Sequence, residues 1–206
     1  MPNPAAHRIV GLYEENAAEW DRLRNPGCLF EKPWLDRFLA LLPPGGSILD
    51  LGCGSGMPIA NYLIRSGYVL TGVDSSPSMI AMCQSRFPQS QWRNADMRTL
   101  ALKQRYDGIL AWDSFFHLSP DDQTIMFPIF ARHAAPGGAL MFTCGPEHGE
   151  VCSEFAGEPL YHASLDPGEY QDLLDRNGFR TVANIFGDPT CGDHAVWLSQ
   201  ARVESD

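Results

Sequence analysis

The strongest constraint on this chain is an alternation. From residue 47 onward, short apolar runs that read as buried strands take turns with longer runs of helical spacing, a pattern that builds βαβ units around a parallel sheet. ILDL (48–51) reads as the first strand and IANYLIRS (59–66) as a helix closed by Gly67. YVLTGVD (68–74) is a second strand. SPSMIAMCQSRF (76–87) is a second helix, with Ser76 as its cap and Pro77 at its first position. QWRNAD, YDGILAW, the helix DDQTIMFPIFARHA and GALMFTC continue the series. Asp166 and Glu169 form an Asp-x-x-Glu capping pattern for EYQDLLDRN, which Gly178 closes. FRTVANIFG and HAVWLSQAR follow with no helix between them, so they pair antiparallel at one end of the sheet. Residues 4–24 and KPWLDRFLALL (32–42) read as helices that precede the alternation.

With 206 residues, 44% of them hydrophobic, the chain suffices for one domain with a full core, and two domains would be cramped. We expect a single domain in which 1–44 is a helical lid and 45–206 the α/β core. A net charge of −10 with no basic run argues against gripping a nucleic-acid backbone. No run of apolar residues is long enough to span a membrane, and the amino terminus lacks a secretory layout, so a soluble cytoplasmic protein is expected. The six cysteines, Cys28, Cys53, Cys83, Cys144, Cys152 and Cys191, include no CxxC pair and read as free thiols. Cys144, His148 and Cys152 share one stretch without a fourth ligand, so no metal site is expected there.

In open α/β sheets ligands bind beyond the carboxyl ends of the strands, and the exit loop of the first strand is the usual cradle. Here that loop is LGCGSGM, with glycine at 52, 54 and 56. Glycine tolerates positive φ and lets a backbone approach a ligand without a Cβ between them. Asp74 ends the next strand at the distance where a βαβ nucleotide site hydrogen-bonds a ribose. Two cofactors fit so far. A dinucleotide fingerprint needs G-x-G-x-x-G, and counting from Gly52 puts Met57 at the third glycine, so the spacing speaks against NAD or NADP.

What stands instead is D-L-G-C-G-S-G, Asp50 to Gly56, which resembles motif I of the class I S-adenosylmethionine-dependent methyltransferases. GVDSSPSMIAMC resembles that family's second strand and helix, NADM its adenine-side segment, YDGILAWDSFFHLS its fourth strand and exit, and APGGALMFT its fifth strand. The resemblance covers residues 45–145 closely, and the carboxyl-terminal hairpin matches the family's sheet edge. It implies a doubly wound, mostly parallel seven-stranded α/β sheet with an antiparallel carboxyl-terminal strand, a Rossmann-like fold. It also implies S-adenosylmethionine as cofactor, S-adenosylhomocysteine as product and a small-molecule methyl acceptor.

Carried over by motif, Asp50 and the backbone of Gly52, Cys53, Gly54 and Gly56 would face the methionine part of the cofactor. Asp74 would take the ribose hydroxyls, Ser75 and Met79 the adenine side, and Asp96 the adenine amino group with Met97 beside it. Each has a plainer role open to it: Asp74 as a helix cap, Met79 as core, Asp96 as a turn residue. Methyl transfer is an in-line displacement that needs positioning more than acid catalysis, and a base only where the acceptor carries a proton. His117, just past the fourth strand, either faces the transferred methyl or orients its loop. Trp112, Phe115 and Phe116 either wall the pocket near the sulfonium or stay in the core. Of the amino-terminal aromatics, Tyr13 is expected to touch the site, whereas Trp20, Trp34 and Phe38 at helical spacings are expected to glue helices to the sheet. CGPEHGEVCSEFAGEPLYHASLD reads as a long polar loop, with Tyr161 and His162 as acceptor-side residues. A nicotinamide-dependent oxidoreductase and a non-catalytic cofactor- or partner-binding module remain as alternatives, and the sequence carries no signal for oligomeric state.

Overall fold

The computed structural model describes residues 3–24 and 29–203, so Cys28 and part of the amino-terminal stretch lie outside the described residues. In chain order the helices are α1 (Pro4–Glu15), α2 (Ala17–Arg24), α3 (Lys32–Leu39), α4 (Ile59–Arg65), α5 (Pro77–Arg86), α6 (Pro120–His133) and α7 (Pro167–Arg176). The strands are β1 (Ser47–Leu51), β2 (Val69–Asp74), β3 (Gln91–Asn94), β4 (Tyr106–Ala111), β5 (Ala134–Cys144), β6 (Gly149–Phe155), β7 (Glu158–Ser164), β8 (Phe179–Asp188) and β9 (His194–Ala201).

Seven strands form one sheet in the order β3-β2-β1-β4-β5-β9-β8. β1 to β5 run parallel, and β9 lies antiparallel between β5 and β8. The α/β class and the antiparallel carboxyl-terminal end are as expected. Because β1 sits between β2 and β4, the chain winds outward in both directions from it, which opens a crevice at the carboxyl ends of these three strands.

The sheet is buried on both faces. Alternation along β4 divides it: Ile109 and Ala111 join the layer under α6 and α7, while Leu110 and then Trp112 join the layer under α3 and α4. The caps follow the sequence. Ser76 accepts from the Met79 N–H at 3.1 Å, and Asp166 with Glu169 closes a reciprocal capping box on α7.

One expectation fails in this part of the chain. The stretch after β5, expected as a long polar loop, folds into the antiparallel hairpin β6–β7. Its turn is Ala156-Gly157 with φ of 52° and 80°, a two-residue turn of the kind that matches strand twist. An alanine at positive φ gives no turn signal in sequence, which is why the hairpin reads as a loop.

The hairpin is moored by a buried polar network. Tyr170 donates its hydroxyl proton to Gln123 Oε1 at 2.5 Å and accepts from the Leu165 N–H at 3.0 Å, while Gln123 Nε2 donates to the carbonyls of Ala163 and Leu118 at 2.9 and 3.0 Å. α6, α7 and β7 are thereby held in one arrangement. Among the described residues no helix is long and apolar enough to cross a membrane, and Cys53, Cys83, Cys144, Cys152 and Cys191 are free thiols. Tyr170→Phe strands the Leu165 amide and the Gln123 carbonyl without their partner, so it should lower unfolding free energy by about 1–3 kcal/mol in urea denaturation; unchanged stability would show that the network does not moor the hairpin.

Candidate active site

A cleft of about 1020 Å³, measured to its open mouth, lies at the carboxyl ends of β1, β2 and β4 beneath α1 and α2. Gly52, Gly54, Asp74, Ser75, Ser76, Met79, Asp96 and Met97 line it together with Tyr13, Trp20, Asp113, Ser114 and His117.

The glycine loop owes its shape to two separate demands. At Gly52, with φ of 74°, an added Cβ would lie 2.2 Å from Ser114 Cβ, so this glycine lets the β1 and β4 exits touch. Ser114 completes that contact by donating to the Leu51 carbonyl at 2.6 Å. At Gly54, with φ of 53°, a Cβ would meet only Trp20 Nε1 at 3.5 Å, so a side chain there would project into the cleft. The loop is pinned from beneath by Asp74, whose Oδ2 accepts from the Gly54 N–H at 2.9 Å and whose Oδ1 accepts from the Ser76 N–H at 2.8 Å. Burial raises the Asp74 carboxyl above its usual range, against those amide bonds.

Across the cleft, Tyr13 and His117 meet although 104 residues separate them. The geometry settles the tautomer. His117 Nδ1 lies 2.8 Å from the Tyr161 carbonyl, which can only accept, so Nδ1 carries the proton. Nε2 of the neutral ring then accepts from the Tyr13 hydroxyl at 2.8 Å. Burial, seconded by neighbouring His162, pushes His117 down to about 4, against the pull of the Tyr161 carbonyl and Asp113. Burial also raises the Tyr13 phenol, helped by Asp113 and Asp74.

A methyltransferase domain family matches residues 48–138, which hold the glycine loop, Asp74, Asp96 and His117. Residues 48–138 thus carry a methyltransferase domain, similar to those of S-adenosylmethionine-dependent methyltransferases. It is 38% identical over 162 residues to a trans-aconitate 2-methyltransferase of Escherichia fergusonii, covering 77% of this chain and 57% of that one. To a trans-aconitate 2-methyltransferase of an Azoarcus species it is 35% identical over 100 residues, covering 48% and 39%. The chain spans about half the length of the curated relatives it matches. In structure it resembles Burkholderia thailandensis 1,6-didemethyltoxoflavin-N1-methyltransferase, with a TM-score of 0.73 at 18% identity over 98% of this chain and 92% of that one.

The methyltransferase fold does not bring every expected residue to the cleft. Trp112 is buried on the opposite layer, stacked 5.6 Å from His194, because it continues the β4 alternation after Leu110. Phe115 sits in the aromatic core with Phe127, Phe142 and Tyr170. Phe116 and His162 pack around His117 without reaching the cleft wall, and Tyr161 is buried, offering its carbonyl rather than its ring. Cys53 and Gly56 lie behind the loop, where a Cβ at Gly56 would press on Phe87 and Cys83. Asp50 is also behind it, buried and pushed up to about 7 by that burial and by Asp74. Asp96 lines the cleft with its carboxylate held by Arg98, which bridges on to Asp122.

Trp20, expected as glue, lines the cleft, while Trp34 and Phe38 are core as expected. Asp113, Ser114 and Arg98 carried no signal beyond their place in strand exits. His117 yields a pH test. Its folded value lies below the 6.5 of the free side chain, so on acidification the unfolded chain binds this proton first and stability is lost as pH falls from about 6.5 to about 4. The difference in unfolding free energy between wild type and His117→Gln should shrink by about 3 kcal/mol from pH 7 to pH 4; a flat difference would mean the ring is charged in the native state.

Proposed function

We propose that this protein transfers the methyl group of S-adenosylmethionine to a small, uncharged or cationic acceptor, leaving S-adenosylhomocysteine. The observation that carries the reading is that Gly52, Gly54, Asp74 and Asp96 converge on one cleft that the Tyr13–His117 pair also lines. The bare Gly54 position is a cradle that any Cβ would fill, and the half-buried Asp74 carboxylate beneath it suits a ligand rich in hydroxyl donors. A neighbour of this fold, the didemethyltoxoflavin methyltransferase, has S-adenosylhomocysteine bound.

In this reading Asp74 holds the ribose, Ser75 and Met79 the adenine side, and Met97 with Asp96 the adenine edge. The loop at Gly52 and Gly54 faces the methionine part, with Asp50 behind it. When bound, the cofactor supplies an electrophilic methyl on a sulfonium whose leaving thioether needs no protonation. The protein's part is to hold the acceptor in line, an effect worth about 7–11 kcal/mol at best. Where the acceptor loses a proton, the Tyr13 oxygen receives it as the Tyr13 proton passes to His117 Nε2, and the His117 Nδ1–H stays on the Tyr161 carbonyl throughout. Because burial disfavours the charged ring, His117 gives that proton up readily and the pair resets. α1 and α2 serve as the lid of a single domain. The acidic balance supports a free metabolite over a nucleic acid as the acceptor, in a protein we propose to be cytoplasmic and without a membrane partner.

Calorimetric titration with S-adenosylhomocysteine, with NAD and NADP as controls, should show binding of the first alone in the micromolar range; binding of a nicotinamide cofactor instead would overturn the reading. Gly54→Val should abolish that binding while circular dichroism stays native. Asp74→Ala should weaken it by about 1.5–3 kcal/mol through lost charge-assisted bonds, and an unchanged Kd would leave Asp74 as a loop and helix cap only.

A further inference from the structure

Asp113 is the residue in the cleft whose conformation is hardest to explain by packing alone. It stands one residue beyond Trp112 at the exit of β4, with φ of 49°, a region that non-glycine residues seldom occupy. Three contacts hold it there. Its N–H donates to Thr143 Oγ1 at 2.9 Å, its Oδ1 accepts from His194 Nε2 at 2.7 Å, and the Arg24 guanidinium lies 3.7 Å from its Oδ2. His194 is doubly protonated in this arrangement, because its Nδ1 also faces an acceptor, the Cys191 carbonyl at 2.6 Å. Arg24 is itself engaged by the fully buried Glu31. Oδ2 accepts no hydrogen bond among the described residues, and Asp113 lines the cleft on the wall shared by Tyr13, Trp20 and His117.

The rest of the wall points to the same partner. Of the other acids in the lining, Asp74 and Asp96 are given to the cofactor and Asp122 is paired with Arg98, whose guanidinium is held by Asp96 at 2.6 Å and Asp122 at 2.8 Å; His7 is a further basic side chain of the lining, so Asp113 is the acid left to the acceptor. A carboxylate-bearing acceptor would meet no uncommitted guanidinium here among the described residues. Carboxylate and aromatic faces together are the lining that holds a cationic nitrogen. We infer that the acceptor carries an amine and that Asp113 is the specificity-determining residue that receives it, through Oδ2, beside the Tyr13–His117 pair. This rests on the methyltransferase reading and deepens it. It also separates the chain from the trans-aconitate methyltransferases it resembles, whose named substrate is a polycarboxylate.

The probes are benzylamine, benzyl alcohol and benzoate, each titrated into the full chain saturated with S-adenosylhomocysteine and followed by Trp20-sensitive fluorescence and by NMR. S-adenosylhomocysteine is titrated first, so that its failure to bind would sink the methyltransferase reading, whereas its binding leaves only the inference about the amine at stake. Benzylamine should outbind the alcohol and the acid by about tenfold or more, and Asp113→Asn should erase that preference while leaving S-adenosylhomocysteine affinity near that of the wild type. No benzylamine binding, equal binding of the three probes, or an undiminished preference in Asp113→Asn overturns the inference. Should Asp113→Asn not fold, Asp113→Ser is titrated in its place, with the same outcomes deciding.

Discussion

The half-buried carboxylate of Asp74 is the point on which the site depends. It ends β2, and its two oxygens take one amide from the loop after β1 and one from the start of α5, so two loops that could otherwise drift are set against each other. The Val73 carbonyl adds to this by accepting from the Gly52 and Cys53 N–H groups at 2.7 and 3.1 Å. Burying a carboxylate is costly, and these charge-assisted bonds are what make it tolerable. The same helix start is reached from the other side by Glu14 of α1, which accepts from the Ser78 N–H at 3.0 Å and the Ser78 hydroxyl at 2.6 Å. The floor and roof of the cleft are therefore tied to one short segment.

That arrangement explains why the amino-terminal helices belong to the site. Tyr13 reaches His117, Glu14 caps α5, Asp21 holds Arg86 through two bonds of 2.6 Å, and Arg24 reaches Glu31 and Asp113. An exposed ion pair of this kind contributes little alone, but contacts spaced along α1 and α2 fix the aromatic rings of Tyr13 and Trp20 over the cleft. The hairpin β6–β7 buttresses them, since Phe155 packs on both rings, at 5.8 Å from each.

The parts of the fold that were legible in sequence are those set by local chemistry. Strand and helix periods, the Ser76 cap, the Asp166–Glu169 box and the glycine loop all depend on residues within a few positions of each other. The hairpin was hidden because its turn uses Ala156 at positive φ, and Trp112 stayed open between cleft and core because a strand's exit, without its neighbours, does not reveal which layer the next side chain joins.

By itself the sequence determined the α/β class, a parallel sheet of βαβ units and the place of the glycine loop, since each follows from spacing along the chain, while its motif series carried the resemblance to S-adenosylmethionine-dependent methyltransferases. Only the tertiary structure decided which groups share the cleft. Tyr13 and His117 are 104 residues apart, and Asp113 and His194 are 81 apart, so no periodicity links them. Their meeting depends on how helices stack on the sheet and where β9 inserts beside β5. The tautomer of His117, the orientation of Asp113 and the position of Trp20 in the cleft follow from that packing, because each is fixed by a partner from a distant element.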